Sequence, residues 1–205
     1  MNDSEQKRKI TIEEYLAIEE NSKVRHEFVD GQIFAMTGAS NAHTVIALNI
    51  ASALKTKLRG SGCTTFILDT KVYIEKRNSF YYPDVVVDCG RFAPDGTHAD
   101  NPSLIFEVLS SSTAATDRRE KRMAYQTIET LQAYVIVHQT KRRLEVYQRD
   151  GADWTIAEIV GDGHIQLAVG MPCGLLLTID EIYEGLDFEQ TQPMQVQESE
   201  EVYSW

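Results

Sequence analysis

Residues 104–110 read Leu-Ile-Phe-Glu-Val-Leu-Ser. A run this apolar and this short fits a central strand covered on both faces. Side chains alternate across a strand. Leu104, Phe106 and Val108 therefore share one side, and Ile105, Glu107 and Leu109 the other. Glu107 falls between two apolar neighbours. A carboxylate in that position is costly, or shifts its pKa, unless a cation meets it. The rest of the chain must supply neighbouring strands, helices to cover them, and a partner for Glu107.

A second apolar run, Val85–Val87, follows Pro83-Asp84. Proline is tolerated where a strand begins, because its missing N–H does least harm there. Asp84 shares a face with Val86 and Asp88. If the two strands are neighbours, Asp84 and Glu107 converge. Two carboxylates with several waters suit Mg²⁺, which prefers octahedral oxygen ligation. Lys121 lies on a predicted helix from about Thr116 to Glu129, with Thr116 or Asp117 as its cap. Asp117 stands four residues before Lys121 and Tyr125 four after, so the three share one helix face. Taken singly, each has a plainer reading. A Glu in a strand is often salt-bridged, an Asp after Pro often opens a strand, and an Asp–Lys pair at this spacing is usually solvated.

The flanking segments supply the other elements. Thr11-Ile-Glu-Glu14 has capping-box spacing and starts a helix over about 12–20. Residues 24–36 form a hairpin about the turn dipeptide Asp30-Gly31. Ser40 caps a helix over 41–59, with His43 in its first turn. Strands follow at 64–68, 71–74, 133–138 and 144–148. Asp150-Gly151 opens a further hairpin whose arms are 154–160 and 165–169, and 175–179 with a short helix near 180–185 closes the fold. Helices alternating with groups of strands predict an α/β or α+β domain, one mixed sheet flanked by helices with additional β-hairpins.

The chain has 205 residues, 42% of them hydrophobic, which suits one domain over 11–186. Residues 1–10 are expected to form a flexible N-terminus and 187–205 an acidic, disordered tail. Net charge is −11, but residues 180–205 contain eight acidic residues and no Lys or Arg, leaving 23 acidic against 20 basic. That balance argues against nucleic-acid binding by bulk charge alone. It leaves room for local basic clusters at Arg118, Arg119, Lys121 and Arg122 and at Lys141–Arg143. Cys63, Cys89 and Cys173 are far apart in sequence, which predicts neither disulfide nor zinc site and fits a reducing cytoplasm. No apolar run is long enough to span a membrane, and the polar start is no signal peptide.

Pro83-Asp84, then Glu107-Val-Leu-Ser110, then Asp117-Arg-x-x-Lys121-x-x-x-Tyr125, resemble the Uma2-type family of restriction endonucleases within the PD-(D/E)XK nuclease superfamily. Residues 25–40, His43 and Asp69–Ile74 match the same family, so the resemblance runs from about Thr11 to Arg149. It implies a restriction-endonuclease-like sheet holding Asp84 and Glu107 as metal ligands. The metal would be Mg²⁺, or Mn²⁺ in its place, and the substrate DNA. The superfamily's usual lysine lies two residues after the Glu, where this chain has Leu109. The resemblance puts Lys121 in that role, with Lys71 as second candidate. Glu27, His43 and Tyr125 are secondary site candidates. A twofold homodimer would let such an enzyme cut both strands. The other implied class is a nuclease-like fold that binds DNA or a protein partner without cutting.

Overall fold

A computed structural model describes residues 8–67, 69–110, 114–169 and 174–188. Helix α1 (Ile12–Asn21) begins with the expected capping box, in which Thr11 and Glu14 bond each other's backbone N–H. Strands β1 (His26–Val29) and β2 (Gln32–Ala35) form the expected hairpin. Asp30 and Gly31 both adopt positive φ, 44° and 88°, the pattern a two-residue hairpin turn demands. A Cβ on Gly31 would also meet the Lys9 side chain at 2.7 Å. Lys9 pairs with Asp30, and the Ile10 N–H donates to the Gly31 carbonyl at 2.9 Å, so residues 9 and 10 are docked rather than loose.

Helix α2 (Asn41–Lys57) is capped by Ser40, as its sequence predicts. Then come β3 (Thr64–Ile67), β4 (Lys71–Ile74), a 3₁₀ turn (Glu75–Arg77), β5 (Ser79–Tyr81), β6 (Val85–Asp88), β7 (His98–Ala99) and β8 (Pro102–Leu109). Helix α3 (Ala114–Thr116), a π-helical turn (Asp117–Lys121) and α4 (Arg122–Tyr125) follow without a break. The last elements are β9 (Ala133–His138), β10 (Arg143–Asp150), β11 (Asp153–Val160), β12 (His164–Leu167), β13 (Leu175–Thr178) and α5 (Ile179–Ile182).

Six strands form the main sheet, in the order β11-β10-β9-β8-β6-β3. It is mixed, because β8 and β9 are parallel and the other neighbours antiparallel. The helical segment 114–125 connects that parallel pair, as such a crossover requires. All eight residues of β8 are buried, as are all six of β9. One face packs Val85, Val87, Leu104, Phe106 and Val135 against α2, α5 and the β12–β13 hairpin. The other face packs Val86, Ile105, Leu109 and Ile136 against Tyr125 and against Val72 and Tyr81 of a second sheet. That sheet has the order β2-β1-β5-β4-β7, and α1 covers it through Tyr15, Phe28 and Phe80. Each fully buried aliphatic or aromatic side chain contributes about 1.5–3 kcal/mol.

Several expectations need correction. Asp150-Gly151 does turn a hairpin, but its arms are β10 and β11; β12 pairs instead with β13. Local turn chemistry fixes where a chain reverses, not which later strand finds which partner. The third helix already begins at Ala114, so Thr116 and Asp117 are interior, not caps, and α4 ends at Tyr125. Cys63 and Cys89 are joined by a disulfide with their Cα atoms 4.0 Å apart. Thr64 faces Asp88 in the β3–β6 ladder, so one step outward brings these cysteines opposite each other. Sequence distance concealed a cross-strand pair, and the cysteine argument for a reducing compartment falls with it. Cys173 and the tail expected to be disordered, from 189 onward, lie outside the described residues, as does Leu68 at the end of a predicted strand. No described helix is long and apolar enough to cross a membrane.

Candidate active site

Val85 pairs with Phe106, so continuing that register by one residue puts Asp84, just before β6, opposite Glu107. The Asp84 carboxylate bridges two elements at that strand end. Its Oδ2 accepts the Val108 N–H at 2.7 Å, and its Oδ1 meets His43 Nε2 at 2.7 Å. His43 is held there by the Ser40 cap, whose Oγ accepts the His43 N–H at 3.1 Å. The other ring nitrogen, Nδ1, is buried and has no hydrogen-bond partner.

Glu107 is 4% exposed and does lie on the face with Ile105 and Leu109. Its partner is Lys121, whose Nζ is 3.1 Å from Glu107 Oε1. The same ammonium lies 2.8 Å from Glu27 Oε1 and 3.3 Å from Asp117 Oδ1, and 5.5 Å from the centre of the Tyr81 ring. Tyr125 OH donates to Glu107 Oε1 at 3.0 Å. The Asp117–Lys121–Tyr125 helix face, which reads as a solvated pair, is thus buried: Asp117 is 1% exposed, Lys121 4% and Tyr125 0%. Glu27, a secondary candidate, is half-buried against Lys121. The π-helical turn carries both Asp117 and Lys121, and its Asp117 carbonyl also accepts from Tyr134 OH at 3.1 Å. Single π turns are rare and are often found at functional sites.

The electrostatics follow from an excess of carboxylates. Burial raises the Glu107 pKa well above the ordinary value, the Lys121 ammonium opposes that, and Asp117, Asp84 and Glu27 add to it. Burial pulls Lys121 down, but Glu107, Glu27 and Asp117 outweigh it and hold its proton firmly. The two directions agree, because neighbouring carboxylates put a negative field on both groups and favour the protonated form of each. Burial likewise raises Tyr125, with Glu107 next to it adding to the effect.

Lys71 does not join this cluster. It is 8% exposed and lies 5.9 Å from the Tyr82 ring centre, where burial lowers its pKa and the Glu19 charge opposes. Glu19 is the site's unpredicted neighbour. It is 2% exposed and takes hydrogen bonds from Tyr82 OH at 2.6 Å and from the His26 N–H at 3.1 Å. It thereby ties α1 to the residue before Glu27 and to a residue two before Asp84. A signal existed: Glu19 is one turn after Tyr15, on the helix face that turns inward. The basic clusters are largely matched by acids. Arg118 pairs with Glu145, Arg142 with Asp180 and Arg143 with Glu158.

Among the described residues, no group of three or more His, Cys, Asp or Glu forms a ready metal cage. The chemistry of the facing pair, Asp84 and Glu107, nonetheless fits a hard cation that binds through one or two carboxylates and keeps its other ligands as water. Asp117, Asp84 and Glu27 lie close enough to Glu107 for their charges to act on it, the crowding of carboxylates that a cation would relieve.

A mixed main sheet flanked by helices gives the chain a restriction-endonuclease-like fold. A crystal structure described as a putative nuclease belonging to DUF820, from Anabaena variabilis, has the same fold, with a TM-score of 0.68 over 84% of this chain and 97% of that one, at 15% identity. The profile of the Uma2 family, described as "Putative restriction endonuclease", matches residues 12–180, and the chain belongs to that family. Two uncharacterized proteins of Synechocystis sp. are similar along most of their length. One is 35% identical over 88% of this chain and 94% of its own length, the other 35% identical over 75% and 89%.

Proposed function

We propose that this protein is a metal-dependent endonuclease that hydrolyses phosphodiester bonds in DNA. The observation that carries the reading is Glu107: a carboxylate on the apolar face of a fully buried strand, across the sheet register from Asp84 and in contact with a buried ammonium. Asp84 and Glu107 would hold Mg²⁺ or Mn²⁺. Such an ion, when bound, supplies an activated water and offsets charge on the phosphate in the transition state. The chain's own groups prepare that site. Lys121 pairs with Glu107 and would add positive charge beside the reacting phosphate. Tyr125 fixes one Glu107 oxygen by donating to it. His43 and the Val108 N–H fix the Asp84 carboxylate. Glu27 and Asp117 hold Lys121 in place. DNA as the substrate class rests on family membership, and a twofold dimer would present two such sites to the two strands.

The test is nicking of supercoiled plasmid, and cutting of single-stranded DNA, with Mg²⁺, Mn²⁺ or EDTA. Cutting should need the metal and disappear in Asp84→Ala and Glu107→Ala. Nicking that survives either substitution would remove these residues from the metal site. A second reading, a nuclease fold that binds DNA or a protein without cutting, is favoured by Leu109 at the usual lysine position and by the enclosure of Lys121 among three carboxylates. Retained DNA binding with no cutting under any metal would select it.

A further inference from the structure

We infer that Phe34 stacks an unpaired base of the substrate strand, so that the nucleic acid meets the site single-stranded or locally opened. The inference rests on the proposed cleavage site at Asp84 and Glu107 and names the form of DNA that site receives. Phe34 stands directly opposite Glu27 in the β1–β2 ladder. Glu27 Oε1 is 2.8 Å from the Lys121 ammonium, which in turn contacts Glu107. Directly opposed residues of an antiparallel pair put their side chains on the same face, about 4.5–5.5 Å apart at Cβ. Phe34 is therefore the next residue outward from the site, on the edge strand of its sheet. It is 50% exposed, and Met36, two residues further on, is 38% exposed. The chain then runs to Ser40 and α2, whose His43 contacts Asp84. One short segment thus borders both the Glu107 side and the Asp84 side of the site.

Charge indicates what lies against this border. Residues 32–41 are exposed without interruption and none of them is charged, on a chain of net charge −11. An uncharged margin lets a polyanion approach where an acidic surface would repel it. Phosphate contacts supply little of the affinity, since Arg118, Arg142 and Arg143 of the two basic clusters are committed to Glu145, Asp180 and Glu158. Stacking needs no charge, and an exposed aromatic ring accepts the face of any base. In a duplex each base face is covered by its neighbours, so only an unpaired or extruded base can lie on Phe34. The other occupant that such an edge strand admits is a second copy of the chain. The uncharged margin and the position beside Glu27 favour the substrate.

The experiment measures binding of a short fluorescein-labelled DNA, single-stranded or annealed to its complement, to the full-length chain by fluorescence anisotropy, in EDTA and in Ca²⁺. Wild type should bind the single strand more tightly than the duplex. Phe34→Ala should weaken single-strand binding by about 5- to 150-fold, the range of one base stack, and leave duplex binding unchanged. An abasic residue moved along the strand should find one position whose cost in wild type matches that of Phe34→Ala. At that position Phe34→Ala should cost nothing more. Phe34→Trp should bind as wild type does, and Phe34→Leu, which keeps the apolar bulk without a flat ring, should behave as Phe34→Ala. Wild-type binding by Phe34→Ala or Phe34→Leu, or a preference for duplex, would overturn the inference and leave the cleavage site standing. Loss of self-association in Phe34→Ala by sedimentation velocity, with DNA binding intact, would assign the edge to a second copy and overturn it as well. Binding of neither DNA by wild type would overturn it together with the reading of the site.

Discussion

Adjacent residues of one helical turn serve two ion clusters of opposite character. Asp117 and Lys121 turn inward, to Glu27 and Glu107, where a single ammonium faces three carboxylates in a buried space. Arg118 turns outward, to Glu145 and His138, where its side chain is 36% exposed and its guanidinium contacts Glu145 at 2.7 Å. The outer cluster is balanced. Burial raises the Glu145 pKa, but hydrogen bonds from Arg118 and His138 more than offset that and leave it lowered. The inner cluster is unbalanced, and Glu107 is raised. A balanced cluster has done its work when the chain is folded. An unbalanced one retains a demand for positive charge, as a site that recruits a cation must.

The largest expected effect breaks the two clusters separately. Lys121→Met should cost about 3–5 kcal/mol in urea unfolding at neutral pH without divalent ions, because it strands buried carboxylates. Arg118→Met should cost about 1 kcal/mol or less, the range of a solvent-screened pair. Similar losses for both would erase the contrast. Next in size is Tyr125→Phe, which removes one hydrogen bond to a charged, buried partner. It should cost about 1.5–3 kcal/mol in the same assay. A neutral result would show that Tyr125 only packs.

The smallest effects are in pH dependence, and their signs oppose. Glu107 holds its proton more tightly folded than unfolded. Its contribution is therefore fully present below 4.5 and is lost as pH rises from 4.5 through the folded value. Glu145 holds its proton less tightly folded, so its contribution is present above 4.5 and is lost as pH falls through the folded value. Thermal unfolding followed from pH 3 to pH 8, without metal, should show Glu107→Gln flattening the loss above 4.5. In Glu145→Gln the loss on the acid side should flatten instead. The same limb flattening in both variants would contradict the assignment of excess charge to the inner cluster.

What the sequence made visible was local. The Thr11 and Ser40 caps, the Asp30-Gly31 turn and the alternation that buries Glu107 each depend on a few adjacent residues, and each is present in the fold. Family motifs pointed to Asp84, Glu107, Lys121, Lys71, His43, Glu27 and Tyr125; in the fold Lys121 and Tyr125 contact Glu107, Glu27 contacts Lys121 and His43 contacts Asp84. The misplaced readings concern partners. Spacing puts Asp117, Lys121 and Tyr125 on one helix face but cannot say that this face meets β8 and not water. Nor can it show that Lys71 would lie against Tyr82, that Cys63 would meet Cys89, or that β11 would turn back onto β10. Those facts belong to strand order, which is set by the summed packing of the whole chain.

The central proposal is that Asp84 and Glu107 hold a divalent ion beside the Lys121 ion-pair cluster. The most direct measurement is the anomalous diffraction of crystals grown with Mn²⁺. The account predicts a Mn²⁺ peak within ligand distance of both carboxylates, with Lys121 still in contact with Glu27 and Asp117. No peak there, or a peak between Glu27 and Asp117 with Lys121 displaced, would contradict it.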